Sequence, residues 1–408
     1  MQITILTTSF PRFDGDFAGN FILKYARELS RLDCNVRSVA PHDLQEDPAM
    51  DLGGVKIERF KYFFPPGWQM AAYGGGIANR MKRNWLTALQ MPFFLVAFLS
   101  AALRSAWKSD LLHAHWTISG LVGVAVKALT GRPLVVTLWG SDMLLLNIPM
   151  VRPLFNILVS GADAVVCESS QFKDRLTGLG FPAGKISVIP NGIDLEMFAA
   201  RDKLQARERL GLALDKTILL TAGRLEPEKG QKYLLEALPE VFRNNENAVC
   251  VLVGDGQSRG ELEALGERLG IGRRLILAGQ RDHREMPLWL SAADIFVLPS
   301  LSEGNPNIVR EASACGLSVV ASGVGGLPEM VRDGVDGLLV PAGDVPALAR
   351  AVLSLIQDPE LRQRFSQNAR DRALESQWTW EAQARALKEV YRRVLDKRHK
   401  PAEGNSPS

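Results

Sequence analysis

The sequence predicts an α/β protein with two doubly wound parallel sheets. Short apolar strand candidates alternate with helical stretches in the first half of the chain, and a second series of the same kind begins near residue 216. This alternation is typical of parallel sheets covered by helices on both faces. The turn-rich segment 188–212 between the two series predicts a domain junction. A chain of 408 residues is long enough for two domains with separate cores.

The elements follow one another in a regular order. The first series has a helix over 21–32 and strands over 3–7, 36–40, 111–114, 134–138 and 164–167. The second has strands over 217–221, 248–253, 275–278, 295–298, 318–321 and 338–340, followed by amphipathic helices over 345–395. We therefore expect domains over 1–195 and 196–375, a helix over 376–396 that crosses back to the first domain, and a disordered tail over 397–408.

Composition and charge exclude several classes of protein. The net charge of +3 is too small to predict a nucleic-acid partner. The four cysteines have no Cys-x-x-Cys spacing, which predicts neither a zinc site nor a disulfide framework. Buried thiols are typical of a reducing compartment, so we expect a cytoplasmic protein. The first residues, MQITILTTSF, have the pattern of a strand and not of a signal peptide.

The strongest local signal is SLSEGNPNIVREASACG, which follows the strand candidate IFVLP. Glu303 lies in the loop, Asn305 and Pro306 are expected to cap and begin a helix, and Glu311 falls in its second turn. Free backbone amides at a helix N-terminus suit an anion such as a diphosphate. The alternative is a surface glutamate and a buried glutamate that pairs with a cation.

A second signal is GRLEPEKG, in which Arg224 and Lys229 follow a strand and precede a helix. Two cations at such a place could neutralise the charge that grows on a departing diphosphate. The alternative is a solvated charge cluster with Glu226 and Glu228.

The N-terminal half has signals of its own at the ends of strands. HAHW places His113 and His115 there, and no third histidine lies near them in sequence, which disfavours a metal site. A pair of structural histidines is the alternative to a binding role. TLWGSD places Gly140, Ser141 and Asp142 after another strand, where they could line a cleft.

Two glycine motifs carry weaker signals. Gly19 and Asn20 precede a helix, where backbone amides could approach a phosphate or an acceptor; an ordinary flexible loop is the alternative. Gly254-Asp-Gly256-Gln-Ser-Arg-Gly260 has the spacing GxGxxxG, and no acidic residue closes the next strand, 275–278, so it does not predict a dinucleotide site.

Taken together, these motifs resemble the family 4 retaining glycosyltransferases, which have the GT-B architecture of two Rossmann-like domains that face a central cleft. The matching segments are Val188–Asp194, 223–230, Leu252–Gly256, Ala292–Asp294, Glu303 with Glu311, and 321–337 with its Gly-Gly-x-Pro-Glu core. The resemblance covers nearly the whole chain and is densest over 185–345. It implies transfer of a hexosyl unit, with retention of configuration, from a nucleotide-diphosphate sugar to a saccharide or lipid-linked acceptor.

The resemblance also implies a role for each matching position. Glu303 would contact the donor sugar, Glu311 the ribose, and Arg224 with Lys229 the diphosphate. His115, at the loop-side end of its strand, would lie over the donor sugar. The donor side would also include Gly304, Asn305, Asn307, Ile308, Gly254 and Arg281, and the acceptor side Gly19, Asn20, Gly140, Ser141 and Asp142. The chain departs from many members at 305–307, where they carry an aromatic residue, and at Trp139, where they carry histidine.

The implied activity needs neither a metal nor a cofactor. We expect a UDP-sugar donor, with a GDP-sugar as the alternative, and a role in bacterial surface polysaccharide synthesis. Two other hypotheses remain: a nucleotide-sugar epimerase or hydrolase of the same fold, and a non-catalytic protein that binds nucleotide-sugars.

The segment 80–107 is basic, then aromatic, then strongly apolar. It predicts either a helix on an anionic membrane surface, with Trp85 and Trp107 near the interface, or a helix that packs on the N-terminal sheet. Its most apolar part, 93–103, is shorter than the ~20 residues that span a bilayer. Peripheral membrane contact is therefore one of two open interpretations.

Overall fold

The chain divides into two compact units. The computed structural model describes all residues except 74–76, 78, 79, 82, 83, 147, 377 and 400–408. Residues 1–190 and the segment that begins at Trp380 form the N-terminal unit, and Asn191–Thr379 form the C-terminal unit.

A seven-stranded parallel sheet forms the centre of the N-terminal unit, as far as the described residues show. Its strands are β1 (Gln2–Leu6), β2 (Asn35–Pro41), β3 (Lys56–Phe60), β4 (Leu111–His115), β5 (Leu134–Leu138), β6 (Ala164–Cys167) and β7 (Ile186–Val188). The order is β3-β2-β1-β4-β5-β6-β7. Successive strands are therefore added toward one edge of the sheet from β1 to β3 and toward the other edge from β4 onward, so the topological switch point lies between β1 and β4.

Helices cover both faces of this sheet. They are α1 (Asn20–Arg31), α2 (Trp85–Ala106), α3 (Trp116–Thr130), α4 (Gly140–Leu145), α5 (Arg152–Gly161) and α6 (Ser170–Gly178). The helix α2 packs on α3 and on β2 and β3, and α3 packs on α5. These three helices form one layer, whose core includes Phe94, Phe98 and Phe155.

The C-terminal unit repeats the arrangement with a six-stranded parallel sheet among its described residues. Its strands are β8 (Thr217–Ala222), β9 (Ala248–Val253), β10 (Leu275–Gly279), β11 (Ile295–Leu298), β12 (Ser318–Ser322) and β13 (Gly337–Val340). The order is β10-β9-β8-β11-β12-β13, with the topological switch point between β8 and β11. Its helices are α7 (Lys203–Leu210), α8 (Gln231–Asn244), α9 (Arg259–Arg268), α10 (Met286–Ala292), α11 (Asn307–Ala314), α12 (Leu327–Met330), α13 (Val345–Gln357) and α14 (Pro359–Glu375).

The last helix, α15 (Trp380–His399), belongs to the N-terminal unit, where it packs on α1. Its buried residues Leu387, Val390 and Tyr391 join the core beneath α1. Residues 397–399, which were expected in the tail, are therefore helical. The rest of that expected tail, 400–408, lies outside the described residues.

The strands expected from the sequence are all present, but the two edge strands of the N-terminal sheet, β3 and β7, were not among them. The strand β7 has only three residues, and β3 mixes charged residues with apolar ones (KIERF). Parallel strands are recognised by continuous apolar runs, and an edge strand that is covered incompletely lacks one.

The helix α2 is longer than its most apolar stretch suggested. It has 22 residues, begins at Trp85 and has Asn84 as its N-cap, whose side chain accepts a hydrogen bond from the amide of Leu86 at 3.0 Å. By length and composition alone, α2 could cross a membrane, with a mean hydropathy of 1.9 over its best window. Core helices of soluble proteins can have the same length and composition.

Candidate active site

The topological switch point between β8 and β11 places the loops that follow these two strands side by side. In open α/β sheets, ligands bind beyond the carboxyl ends of the strands at such a point. The loop after β8 contains Arg224 and Lys229, and the loop after β11 contains Glu303. A hydrogen bond of 2.8 Å from the Leu301 amide to the Glu228 carbonyl joins the two loops directly.

Lys229 and Glu303 form a close ion pair in these loops. The Lys229 Nζ lies 2.8 Å and 2.9 Å from the two carboxylate oxygens of Glu303, and the Ser300 hydroxyl lies 2.7 Å from Oε1. The Glu303 side chain is only 5% exposed. An ammonium group has three N–H donors, and this pairing uses two, which leaves capacity for one more acceptor such as a phosphate oxygen.

Backbone packing holds the Glu303 loop in place. Gly325, in the loop after β12, has φ +60°, and a Cβ built on it would lie 1.7 Å from the Glu303 carbonyl oxygen. The next amide, Gly326, donates to the Gly304 carbonyl at 2.9 Å. Only glycine can approach Glu303 so closely, so this contact positions Glu303 and Gly304 through their main chain.

The loop that carries Arg224 is held in a similar way by the Gly254–Gly256 turn after β9. The Leu225 amide donates to the Asp255 carbonyl, and the Ser258 amide donates to the Leu225 carbonyl, both at 2.9 Å. The Arg224 side chain itself is exposed, with its guanidinium 3.7 Å from Glu228. The structure therefore places Arg224 on the same loop as Lys229 but does not join its side chain to Glu303.

Glu311 has a different partner. Its buried carboxylate lies 2.9 Å from His283 Nε2, and the His283 ring packs edge-on against Phe198 at 5.2 Å. His283 lies in the turn that follows β10. Arg281, in the same segment, is exposed and lies 5.4 Å from the centre of the Trp289 ring.

The helix that carries Glu311 begins later than expected. We predicted that Asn305 caps it and that Pro306 is its first residue. In the structure α11 begins at Asn307, Pro306 occupies the cap position with an extended backbone, and no side chain caps the helix. The proline ring fixes φ but leaves ψ free, and Pro306 takes an extended ψ of 109°, so the helix begins one residue later. Asn307 and Ile308 are thus the first helical residues.

The two histidines of HAHW are buried in the N-terminal unit. His113 Nε2 lies 2.7 Å from the Thr137 hydroxyl, and its Nδ1 lies 2.7 Å from the Tyr391 hydroxyl. Each ring nitrogen of His113 therefore has a partner, which fits the structural interpretation of this residue.

Both ring nitrogens of His115 also have hydrogen-bond partners. The Trp139 indole N–H donates to His115 Nδ1 at 3.3 Å, and Nε2 is bonded to the Tyr25 hydroxyl. Because an indole N–H can only donate, Nδ1 accepts and the proton of the neutral ring is on Nε2. A role over a donor sugar would require one of these bonds to be exchanged.

Asp142 also has an internal role. One carboxylate oxygen accepts from the amide and hydroxyl of Thr117 at 3.0 Å and 2.7 Å, and the other accepts from the Trp139 amide at 2.9 Å. Burial raises the pKa of Asp142, although these bonds act in the opposite direction. The carboxylate thus ties the start of α3 to the start of α4, which contains Gly140 and the exposed Ser141.

Gly19 and Asn20 begin α1. Gly19 is its N-cap and adopts φ +69°, and a Cβ there would lie 2.3 Å from the Ser9 carbonyl oxygen. Asn20 is the first helical residue. In the part of the chain that the structure describes, no group of three or more His, Cys, Asp and Glu side chains is arranged to hold a metal ion.

Two family models match most of the chain. Residues 18–192 match the glycosyl transferase 4-like domain, and residues 202–372 match glycosyl transferases group 1. D-inositol 3-phosphate glycosyltransferase 2 of Catenulispora acidiphila is 33% identical over 76% of this chain and 78% of that protein. The chain belongs to the group 1 glycosyltransferases. The resemblance drawn from the motifs is therefore confirmed.

Two further proteins similar to this transferase bear on its relationships and its fold. The GDP-mannose-dependent alpha-(1-6)-phosphatidylinositol monomannoside mannosyltransferase of Mycolicibacterium smegmatis is 30% identical over 66% of the transferase and 72% of that protein. The structure of Anabaena HepE in complex with UDP matches 96% of the transferase and 100% of that chain, with a TM-score of 0.78 and 22% identity. The structural likeness confirms the predicted GT-B fold of two Rossmann-like domains.

Three contacts of the candidate site were missed by sequence reasoning. They are the pairing of His283 with Glu311, the hydroxyl of Ser300 on Glu303, and the approach of Gly325 to the Glu303 backbone. Ser300 precedes Glu303 by three residues in the same loop, so its polar side chain was a usable signal. His283 and Gly325 lie in other loops, and no local spacing links them to the two glutamates.

The buried histidines predict a pH dependence of stability. Burial lowers the pKa of His113 to about 3, and burial together with His113 lowers the pKa of His115 well below its usual range. The unfolded chain takes up these protons near pH 6.5 and the folded chain does not, so stability is full above pH 6.5 and falls as the pH decreases toward 3. We expect the free energy of unfolding to fall by about 2 kcal/mol per histidine between pH 7.5 and 5.

Urea unfolding at several pH values measures this effect. Down to pH 5, carboxylates of ordinary pKa remain mostly ionised and contribute little. The variant His113→Gln should show a shallower pH dependence than the wild type. A free energy of unfolding that stays constant from pH 7.5 to 5 would show that the two rings are not kept neutral by the fold.

Proposed function

We propose that the protein transfers a hexosyl unit from a nucleotide-diphosphate sugar to a saccharide or lipid-linked acceptor, with retention of anomeric configuration. The observation that carries the proposal is the ion pair between Lys229 and Glu303 at the topological switch point of the second sheet, between β8 and β11. A cation, a buried carboxylate and the N-terminus of α11 lie there on neighbouring loops.

Each part of the donor has a group suited to it. Glu303 would accept hydrogen bonds from hydroxyls of the sugar. Lys229 and Arg224 would bind the diphosphate, helped by the first amides of α11 at Asn307 and Ile308. Glu311, already aligned by His283, would accept hydrogen bonds from the ribose hydroxyls.

Smaller contributions complete the donor side. Gly304 and Asn305 belong to the loop that joins the sugar position to α11, and Gly254 belongs to the turn that supports the Arg224 loop. Arg281 precedes His283 by two residues, and we propose that it also contributes to donor binding.

The proposed chemistry uses the leaving phosphate as the base. The bond from the anomeric carbon to the phosphate oxygen breaks, the acceptor oxygen attacks from the same face, and its proton passes to that phosphate oxygen. Glu303 is held by Lys229 and Ser300, which suits a carboxylate that binds the sugar better than one that attacks it. We propose that Lys229 and Arg224 stabilise the departing diphosphate without a metal ion.

The donor and acceptor are proposed at the level of chemical class. We favour a UDP-sugar, with a GDP-sugar as the alternative; among similar proteins, HepE was solved with UDP and the mycobacterial mannosyltransferase is named for GDP-mannose. We propose an acceptor from bacterial surface polysaccharide synthesis. The four cysteines are all described by the structure; they are buried and form no disulfide, which supports a place in the reducing cytoplasm.

The test begins with a thermal-shift screen of UDP-hexoses and GDP-hexoses, because a bound ligand raises the stability of the folded protein. The donor selected is then incubated with and without candidate acceptors, and the released nucleoside diphosphate is measured. Proton NMR of the product gives its anomeric configuration. Added EDTA should leave the rate unchanged.

The alternatives predict different results. Nucleoside diphosphate released at the same rate without acceptor would indicate a hydrolase, and a changed sugar on an intact nucleotide an epimerase. A stabilising donor with neither reaction would indicate a binding protein. Inverted configuration in the product would exclude the proposed mechanism.

Glu311→Ala should chiefly weaken donor binding. The carboxylate would make two charge-assisted hydrogen bonds to the ribose, so we expect the donor Kd to rise by about tenfold or more. The control is Glu285→Ala, which removes an exposed carboxylate from the turn that contains His283. Isothermal titration with the donor measures both variants. An unchanged Kd in Glu311→Ala would exclude the ribose assignment.

A further inference from the structure

The outward side of α2 exposes a continuous row of large apolar side chains. Trp85 and Val96 are each 70% exposed, and Leu89 and Phe93 are each 58% exposed. These four residues fall within about 80° around a helix with 100° per residue, so they share one side. Trp107, also exposed, continues the row after the last turn. Soluble proteins rarely leave such a row in water without a partner.

The loop before α2 extends this surface. The Phe63 ring packs edge-on against Phe93 with 5.8 Å between ring centres, and Phe64 beside it is almost fully exposed. We call the set Phe64, Trp85, Leu89, Phe93, Val96 and Trp107 the α2 face.

Basic residues flank the residues of the α2 face in sequence, without acidic ones among them. Residues 60–109 contain six basic residues and no Asp or Glu. They are Lys61, Arg80, Lys82, Arg83, Arg104 and Lys108, of which Lys82 and Arg83 lie outside the described residues. Arg104 is bound to Glu58 at 3.1 Å, and Lys61 and Lys108 are exposed. A surface of this charge fits an anionic partner.

The opposite side of α2 is buried in the core of the N-terminal unit. Phe94, Phe98, Ala101 and Ala102 are fully buried against the sheet and α3. The polar side chain of Gln90 is buried as well and binds backbone groups of the loop before it. For α2 to cross a bilayer, it would have to leave this core. A position parallel to the membrane, with only the outer side in contact, keeps the core intact.

We propose that the α2 face binds the surface of an anionic lipid bilayer. The apolar residues enter the boundary between headgroups and acyl chains, Trp85 and Trp107 lie at the interface about 33 Å apart, and the basic residues contact anionic headgroups. A second copy of the chain fits this surface less well, because a symmetric interface would bring the same basic residues together. The surface brings the enzyme to a membrane whichever sugar it transfers, so it goes beyond the proposed function.

Vesicle sedimentation tests the proposal with the full chain. The protein should sediment with vesicles of equal parts phosphatidylcholine and phosphatidylglycerol, and much less with phosphatidylcholine alone or in high salt. The triple variant Leu89→Gln, Phe93→Gln, Val96→Gln should lower the partition coefficient at least about tenfold. The matched control is Leu204→Gln with Leu374→Gln, which changes leucines of similar exposure, 55% and 54%, in the C-terminal unit.

A charge variant separates the two contributions. Lys61→Glu with Lys108→Glu should weaken binding to the anionic vesicles and leave the apolar row intact. Circular dichroism melting and the thermal shift caused by donor should match the wild type in every variant, which shows that each one is folded.

Three results would overturn the proposal. They are a wild-type protein that stays in the supernatant with anionic vesicles, a triple variant that binds as well as the wild type, and a wild-type dimer in sedimentation equilibrium that the triple variant converts to a monomer. The last would assign the α2 face to a second copy of the chain. None of them depends on whether the enzyme transfers a sugar.

Discussion

Replacing Lys229 by alanine is expected to lower kcat by about 100-fold or more, because the variant loses a preorganised cation where negative charge develops on the departing diphosphate. In the structure this ammonium is held 2.8 Å from the Glu303 carboxylate, so little reorganisation is needed when the donor binds. The effect should fall on kcat and kcat/KM together, because the interaction is strongest in the transition state. Steady-state release of nucleoside diphosphate measures it.

The same substitution removes the partner of a buried carboxylate, and this consequence must be separated from the loss of catalysis. An unpaired Glu303 is expected to destabilise the C-terminal unit by about 3 kcal/mol. The double variant Lys229→Ala, Glu303→Gln removes the charge that would be left alone, so it should recover most of the stability and none of the activity.

Lys232→Ala is the matched control, since it deletes an exposed lysine at the start of the next helix. It should have nearly wild-type turnover. A Lys229→Ala enzyme that keeps a normal kcat would show that this cation does not act on the diphosphate.

Replacing Gly325 by alanine is the second change with a large expected effect. A real Cβ stays at least 3.0 Å from other heavy atoms, whereas a Cβ at this position would lie 1.7 Å from the Glu303 carbonyl oxygen. The Glu303 loop must therefore move by about 1 Å or more, and a displacement of that size at a reacting group can cost about 100-fold in rate. We expect kcat/KM to fall by about this factor.

The chain offers a close control in Gly334. Its φ of +71° resembles the +60° of Gly325, but nothing lies within 4 Å of a Cβ built there. Gly334→Ala carries the same kind of backbone strain, about 1–2 kcal/mol, without the collision. We expect it to lower the melting temperature and spare activity. If the two variants lost activity equally, the collision with the Glu303 loop would not be the cause.

The surroundings of Glu303 and Glu311 show how much secondary structure can be predicted from local sequence. An apolar strand, a loop with Glu303 and a helix with Glu311 can all be predicted from one stretch of 20 residues, since strand, turn and helix signals act over short distances. The prediction was wrong at the helix start, where a cap by Asn305 and a first turn from Pro306 looked favourable. Sequence preference does not say which of two adjacent polar or proline positions the tertiary structure will use.

The histidines of HAHW show that local sequence does not determine the role of a side chain whose partners are distant in the chain. An HxH pair at a strand end is compatible with a ligand site, a metal site or a structural pair. Tyr391 reaches His113 from 278 residues away, and Tyr25 reaches His115 from 90 residues away. These partners come from α15 and α1, so the buried state of both rings depends on how those helices pack.

The sequence by itself determined the two series of parallel strands, the family, and the identity of the charged residues in the loops after β8 and β11. It could do so because apolar periodicity, turn residues and motif spacing are local properties of the chain. The tertiary structure alone decided which groups meet: Lys229 with Glu303, Glu311 with His283, Gly325 with the Glu303 backbone. It also decided which side of α2 is buried and which is exposed. Those pairings join loops of different strands, and only the packing of the sheet and its helices brings such loops together.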